Sequence, residues 1–99
     1  MIKVGIIGCG TIGSELALAC QKRFINEVTL DALSDTDMAK ARKLQHHLRP
    51  KPKIFSQEAL IKRCDLVIEA ASKHVSYDIA KKALSLGKDV MVMSVGGIL

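Results

Sequence analysis

Apolar and β-branched residues gather in five short runs along the chain, at positions 2–7, 27–33, 53–55, 66–70 and 89–93. The first, fourth and fifth are nearly continuous, as a strand buried on both faces requires, and parallel sheets bury their strands in that way. The third run is short and follows Pro50 and Pro52, which marks it as an edge strand. Segments of helical period separate the runs. Over 11–24, Ile12, Leu16, Cys20 and Phe24 recur every fourth residue and predict one apolar face. Over 37–48, Met38, Ala41, Leu44 and Leu48 repeat the pattern more weakly. The stretch 56–62 allows a turn or two of helix behind Ser56 as N-cap, and over 73–86 Val75, Ile79, Ala83 and Leu86 share a face ahead of Gly87.

Strand and helix therefore alternate from one end to the other. That alternation predicts an α/β fold in a single domain spanning residues 1–99, with a parallel sheet, right-handed crossovers and helices on both faces. The link between the first strand and the first helix is glycine-rich, Gly8-Cys9-Gly10-Thr11-Ile12-Gly13. A strand, a GxGxxG turn and a periodic helix in that order predict a Rossmann-type, doubly wound sheet of strand order 3-2-1-4-5.

Each glycine of the turn has its own task. Gly8 permits the tight exit from the strand, Gly10 lets a pyrophosphate approach the backbone, and Gly13 lets the helix lie close to the sheet. The helix start at Thr11 and Ile12 then offers N–H groups and partial positive charge to the phosphates. Such a site places an acid at the end of the second strand, about 20 residues past the glycines, to accept from the adenosine ribose. Asp35 is the candidate, with Ser34 beside it, and its alternative reading is a helix-capping or loop acid; Asp31 is the weaker candidate because it falls inside the strand. A carboxylate there repels a 2′-phosphate, so the expected cofactor is NAD, while Ser34, Thr36 and Lys40 keep NADP open. Ala70, Ala71 and Ser72 end the fourth strand and Ser94 the fifth, leaving room for the nicotinamide end. Ser72 could equally cap the helix that follows it. Lys73 and His74 read as surface groups at a helix start, since chemistry there would need convergent partners.

Composition changes this picture only slightly. With no Trp, one Tyr and two Phe among 99 residues, the core must be aliphatic. The net charge of +5 favours anionic ligands without choosing among them, and much of the excess lies within 40–53. Lys40, Lys43, His47 and Lys51 there read as the solvated face of a helix, and the lack of interleaved aromatics argues against nucleic acid. Three cysteines without CxxC spacing make a disulfide framework or a metal site unexpected and fit reduced thiols in a cytoplasmic protein. Cys9 has two readings, a thiol activated by the helix N-terminus or a small residue at a variable position. The N-terminal apolar run is too short for a membrane span and lacks the shape of a signal peptide.

Three segments, KVGIIGCGTIG at 3–13, LVIEAAS at 66–72 and GKDVMVMSVG at 87–96, together resemble the L-aspartate dehydrogenase family, with homoserine dehydrogenases as looser relatives. The resemblance covers the whole chain but only that family's N-terminal, dinucleotide-binding domain. It implies oxidation of L-aspartate to iminoaspartate with hydride passing to NAD or NADP, or the reverse, in the biosynthesis of NAD. The family's catalytic residues lie in a further domain, so no catalytic residue is carried over, and a chain of these 99 residues is expected to be inactive alone. An exposed fifth strand suits pairing between copies. The rival expectation is a non-catalytic nicotinamide-nucleotide sensor, which fits the length better and the segments at 66–72 and 87–96 worse.

Overall fold

In the computed structural model, which describes residues 1–71 and 73–93, with side chains of 73–75 excepted, the sheet has five parallel strands in the order β3-β2-β1-β4-β5. The strands are β1 (Ile2–Ile7), β2 (Val28–Ser34), β3 (Lys53–Ile54), β4 (Leu66–Glu69) and β5 (Asp89–Val92). The helices between them are α1 (Thr11–Lys22), α2 (Met38–His46), α3 (Gln57–Arg63) and α4 (Lys73–Ser85). Every element expected from the periodicity forms, each bound within two residues of its expected place, and the strand order is the expected one.

Two aliphatic cores flank the sheet. Val4, Ile6, Leu30, Leu33 and Ile68 pack with Ala17 and Cys20 of α1 and with Ala41 and Leu44 of α2. On the other face Ile7, Ala32 and Val67 pack with Leu60 and Ile61 of α3 and with Ile79 and Ala83 of α4. A register shift between Val4 and Gly5 pairs Val4 with Leu30 but Gly5 with Ala32. Asp31 is thereby the extra residue of β2, and Leu30 and Leu33, three apart, share a core.

The face of α1 differs from the periodic reading. Its buried residues are Gly13, Ala17 and Cys20, whereas Ile12 and Phe24 stand exposed. The cause is the closeness of the helix to the turn. A Cβ added to Gly13 would stand 1.9 Å from the carbonyl oxygen of Gly8, so the contact stripe must be made of small residues. Met38 of α2 also stands exposed, while Ala41, Leu44 and Leu48 are buried as expected. In α4, Ile79 and Ala83 are buried; Leu86 lies past the helix end and is exposed.

α2 and α3 carry side-chain caps. Asp37 accepts from the Ala39 N–H at 3.0 Å, and Ser56 accepts from the Ala59 N–H at 3.2 Å. α1 has Gly10 as its N-cap, with no side-chain hydrogen bond and no acid in its first turn.

Candidate functional site

The carboxyl ends of β1, β2 and β4 and the start of α1 meet at one end of the sheet, because parallel strands all exit on the same side. Gly8 leaves β1 with φ +103°, a left-handed conformation that glycine adopts without strain. It is also hemmed in by backbone: a Cβ there would lie 2.6 Å from the carbonyl carbon of Ala70 and the nitrogen of Ala71. Gly10 is the opposite case. Its φ of −80° suits any residue, and an added Cβ would meet nothing within 4 Å. Two of the three glycines are thus required by the protein's own packing. The third leaves open space beside a helix start.

That space is a groove of about 320 Å³ lined by Gly8, Gly10, Asp35, Lys40, Ala70 and Ala71, among others. The first N–H bonded within α1 is that of Ser14, to the Gly10 carbonyl at 2.9 Å. The N–H groups before it have no intrahelical acceptor, as at every helix start. With no cap over them, they present donors and partial positive charge to an anion in the groove. A second, wider groove of about 690 Å³ adjoins the first through Asp35, Thr36 and Gln57 and reaches past Ser34 and Met38 to Phe55. Together they run from the glycine turn across the ends of β2 and β3.

Hydrogen bonds stitch the turn to the end of β2. Gly8 N–H donates to the Ser34 carbonyl at 2.8 Å, and the Cys9 thiol donates to the same oxygen at 3.6 Å. The Asp35 carboxylate accepts from the Cys9 N–H at 2.8 Å and from the Asp37 N–H at 2.9 Å. Asp31, the weaker acid, points elsewhere: it pairs with the Arg63 guanidinium, which also stacks over the Phe55 ring at 5.0 Å. On the other side Ala70 N–H donates to the Ile7 carbonyl and Ala71 N–H to the Glu69 carboxylate at 2.7 Å.

The expected site residues thus divide as follows. Gly8, Gly10, Asp35, Ala70 and Ala71 line one groove, and Ser34 and Asp35 line its neighbour. Thr11 and Ile12 form the first turn of α1 with exposed side chains, and Gly13 is buried against Gly8. Ser72 and Ser94 lie outside the described residues. Gln57, Phe55 and Glu69 escaped the sequence reading. Phe55 directly follows β3 and Gln57 opens α3, and both belong to the groove because they too sit beyond a strand's carboxyl end. Glu69, fully buried, fastens the β4–α4 connection.

The Cys9 thiol is not activated. Burial, helped by the nearby Asp35 charge, pushes it up to about 11, and burial with the Asp31 charge pushes Cys64 up to about 11 as well. The folded state therefore holds both thiols neutral where the unfolded chain ionises them, from pH 9 upward. Stability is expected to fall between pH 9 and 11, by on the order of 1 kcal/mol per thiol at pH 10. Urea denaturation at pH 8 and pH 10 checks this: Cys9→Ala combined with Cys64→Ala should flatten the alkaline fall, and an unchanged fall would refute the cause. Among the described residues no cluster of His, Cys, Asp or Glu could hold a metal, and no helix is long and apolar enough to cross a membrane.

A doubly wound parallel sheet with an uncapped glycine turn facing a groove at its switch point defines the class of dinucleotide-binding domains. Residues 8–99 match the family model described as homoserine dehydrogenase, NAD binding domain, and the chain belongs to that family. It is 43% identical over 99 residues to an L-aspartate dehydrogenase of Methanosarcina barkeri, covering 99% of this chain and 36% of that one. The chain therefore spans about a third of the length of such relatives. Among solved structures, a putative myo-inositol dehydrogenase from Sinorhizobium meliloti 1021 superposes with a TM-score of 0.82 at 19% identity, over 93% of this chain and 27% of that one. GenD2 from gentamicin A biosynthesis, in complex with NAD, superposes with a TM-score of 0.80 at 19% identity, over 92% and 26%. At that identity the two structures speak for the fold. The sensor reading is not favoured, since the relatives are dehydrogenases.

Proposed function

We propose that the chain is the cofactor-binding part of an enzyme that transfers hydride between L-aspartate and a nicotinamide dinucleotide, with NAD preferred. The observation that carries the reading is the glycine turn, whose one unhindered glycine opens on a groove continuous with an acid at the end of β2. The residues fit the group. Gly10 and the N–H groups at the start of α1 suit a pyrophosphate, and Asp35 suits the ribose hydroxyls of the adenosine. The wider groove beyond Thr36, with Ile54, Met38 and Phe55 on its wall, suits an apolar base. Ala70 and Ala71 leave the other direction free for the nicotinamide end, where Ser72 and Ser94 belong to the same reading.

Bound there, the dinucleotide supplies the hydride acceptor. The chain's own part is to bind and orient it. Hydride transfer also needs a substrate held against the reacting carbon. In keeping with the resemblance, the groups that act on L-aspartate are assigned to the part of the relatives' length that this chain does not span.

The preference for NAD rests on charge. A 2′-phosphate next to the Asp35 carboxylate is repelled, and the Lys40 ammonium on the same groove offsets part of that. Asp35→Ala is expected to lower NAD affinity more than NADP affinity, since it also relieves the 2′-phosphate of the carboxylate's repulsion, changing their ratio about tenfold or more. Calorimetric titration of both proteins with both cofactors checks it. An unchanged ratio would remove Asp35 from the ribose site.

A further inference from the structure

We infer that Asp35 is also a positioning residue for the glycine turn, holding it in its phosphate-binding shape whether or not a ribose is in reach. This rests on the nucleotide-binding reading and deepens it. A ribose acid needs only to face the groove. This one is already engaged: one oxygen takes the Cys9 N–H at 2.8 Å, and the other takes the Asp37 N–H at 2.9 Å.

Cys9 lies between Gly8, whose N–H donates to the Ser34 carbonyl and whose Cα faces the Ala70–Ala71 backbone, and Gly10, whose carbonyl accepts from the Ser14 N–H of α1 but whose Cα faces open space. α1 holds the far side of the turn through Ser14, and the Cys9 amide is the point at which the Asp35 carboxylate holds its middle. The Ser34 carbonyl, accepting from the Gly8 N–H and the Cys9 thiol, fastens the same segment from the preceding residue. The turn between β1 and α1 and the turn between β2 and α2 are thus one hydrogen-bonded unit. A carboxylate has about four acceptor directions on its two oxygens. Two are used here, and the remaining two can take ribose hydroxyls, so the two tasks do not compete.

The two roles make opposite predictions for a nucleotide that lacks ribose hydroxyls. If Asp35 served only the ribose, removing it would leave such a ligand unaffected, or improve its binding by taking a negative charge away from the phosphates. If it positions the turn, its removal weakens that ligand too, because donors no longer held in place must be ordered on binding.

The test is titration of the wild-type chain, Asp35→Ala and Asp35→Asn with ADP and with 2′,3′-dideoxy-ADP, at a temperature where circular dichroism shows each protein folded. We expect Asp35→Ala to lose about 30-fold for ADP and about tenfold for the dideoxy ligand, charge-assisted hydrogen bonds being the stronger kind. Asp35→Asn should fall between, since the two N–H groups bind different carboxylate oxygens and the amide keeps an acceptor at only one of those places. It carries the comparison by itself if the alanine variant does not fold. Dideoxy-ADP affinity that is unchanged or improved in the folded variants would overturn the inference and leave the nucleotide site standing. Failure of wild-type protein to bind ADP at millimolar concentration would overturn the functional reading and the inference together.

Discussion

Gly13→Ala is expected to cost the chain its native fold. The added methyl would stand 1.9 Å from the Gly8 carbonyl oxygen, and a backbone atom, unlike the end of a flexible side chain, cannot swing away. To relieve the clash α1 must lift off the sheet. That strips the contact of Ala17 and Cys20 with Val4, Ile6 and Leu30. Overpacking of this kind costs about 3 kcal/mol or more. A small domain has a stability of only about 5 kcal/mol or little above it, so most of the margin goes. Thermal and urea denaturation followed by circular dichroism would show it. A variant that melts within two or three degrees of wild type would mean that the helix does not lie as close to the turn as described.

Gly10→Val should do the reverse, sparing the fold and removing the ligand. Position 10 has an ordinary φ of −80°, and an added Cβ there meets no protein atom within 4 Å, so valine is expected to be accommodated. Its only structural cost is as a poor N-cap, about 1 kcal/mol, or roughly 4–8 °C in Tm. Its side chain would occupy the space that the N–H groups of α1 face. NAD affinity is expected to fall at least tenfold, below detection if wild-type binding is itself weak. The pair of variants separates the two reasons for glycine in one turn: Gly13 answers to the protein, Gly10 to the ligand. If Gly10→Val bound NAD as wild type does, the groove beside it would not be the pyrophosphate site.

Much of this was legible from local pattern. Runs such as 66–70 are as continuous in apolar residues as a strand covered on both faces requires, and two helical layers cover β4 as that demands. The position of Gly8 to Gly13 between a strand and a helix set both the topology and the place of the groove. Ser56 caps α3 as expected, whereas Asp37, expected within the helical stretch, stands one residue before α2 and caps it.

What pattern could not reach were contacts made by distance in space. Periodicity weighted Ile12 and Phe24 as core because they are large, whereas close approach selects Gly13, Ala17 and Cys20 because they are small. The thiol of Cys9 could be read as activated by its helix. Its burial and its proximity to Asp35, 26 positions along the chain, decide the opposite. The same long-range hydrogen bond gives Asp35 a second task that no local motif announces. Gln57 enters the groove only because β3 pairs with β2, which brings the start of α3 beside Asp35.

The measurement closest to the central claim is a nuclear magnetic resonance titration of the 15N-labelled chain with NAD, followed at the backbone amides of Cys9 to Gly13 and at Asp35. The account predicts saturable shifts confined to those amides and to the groove-lining residues Ala70, Ala71 and Gln57, with weak affinity because only part of the relatives' length is present. No shift at the glycine turn at millimolar NAD, in a chain that remains folded, would contradict it.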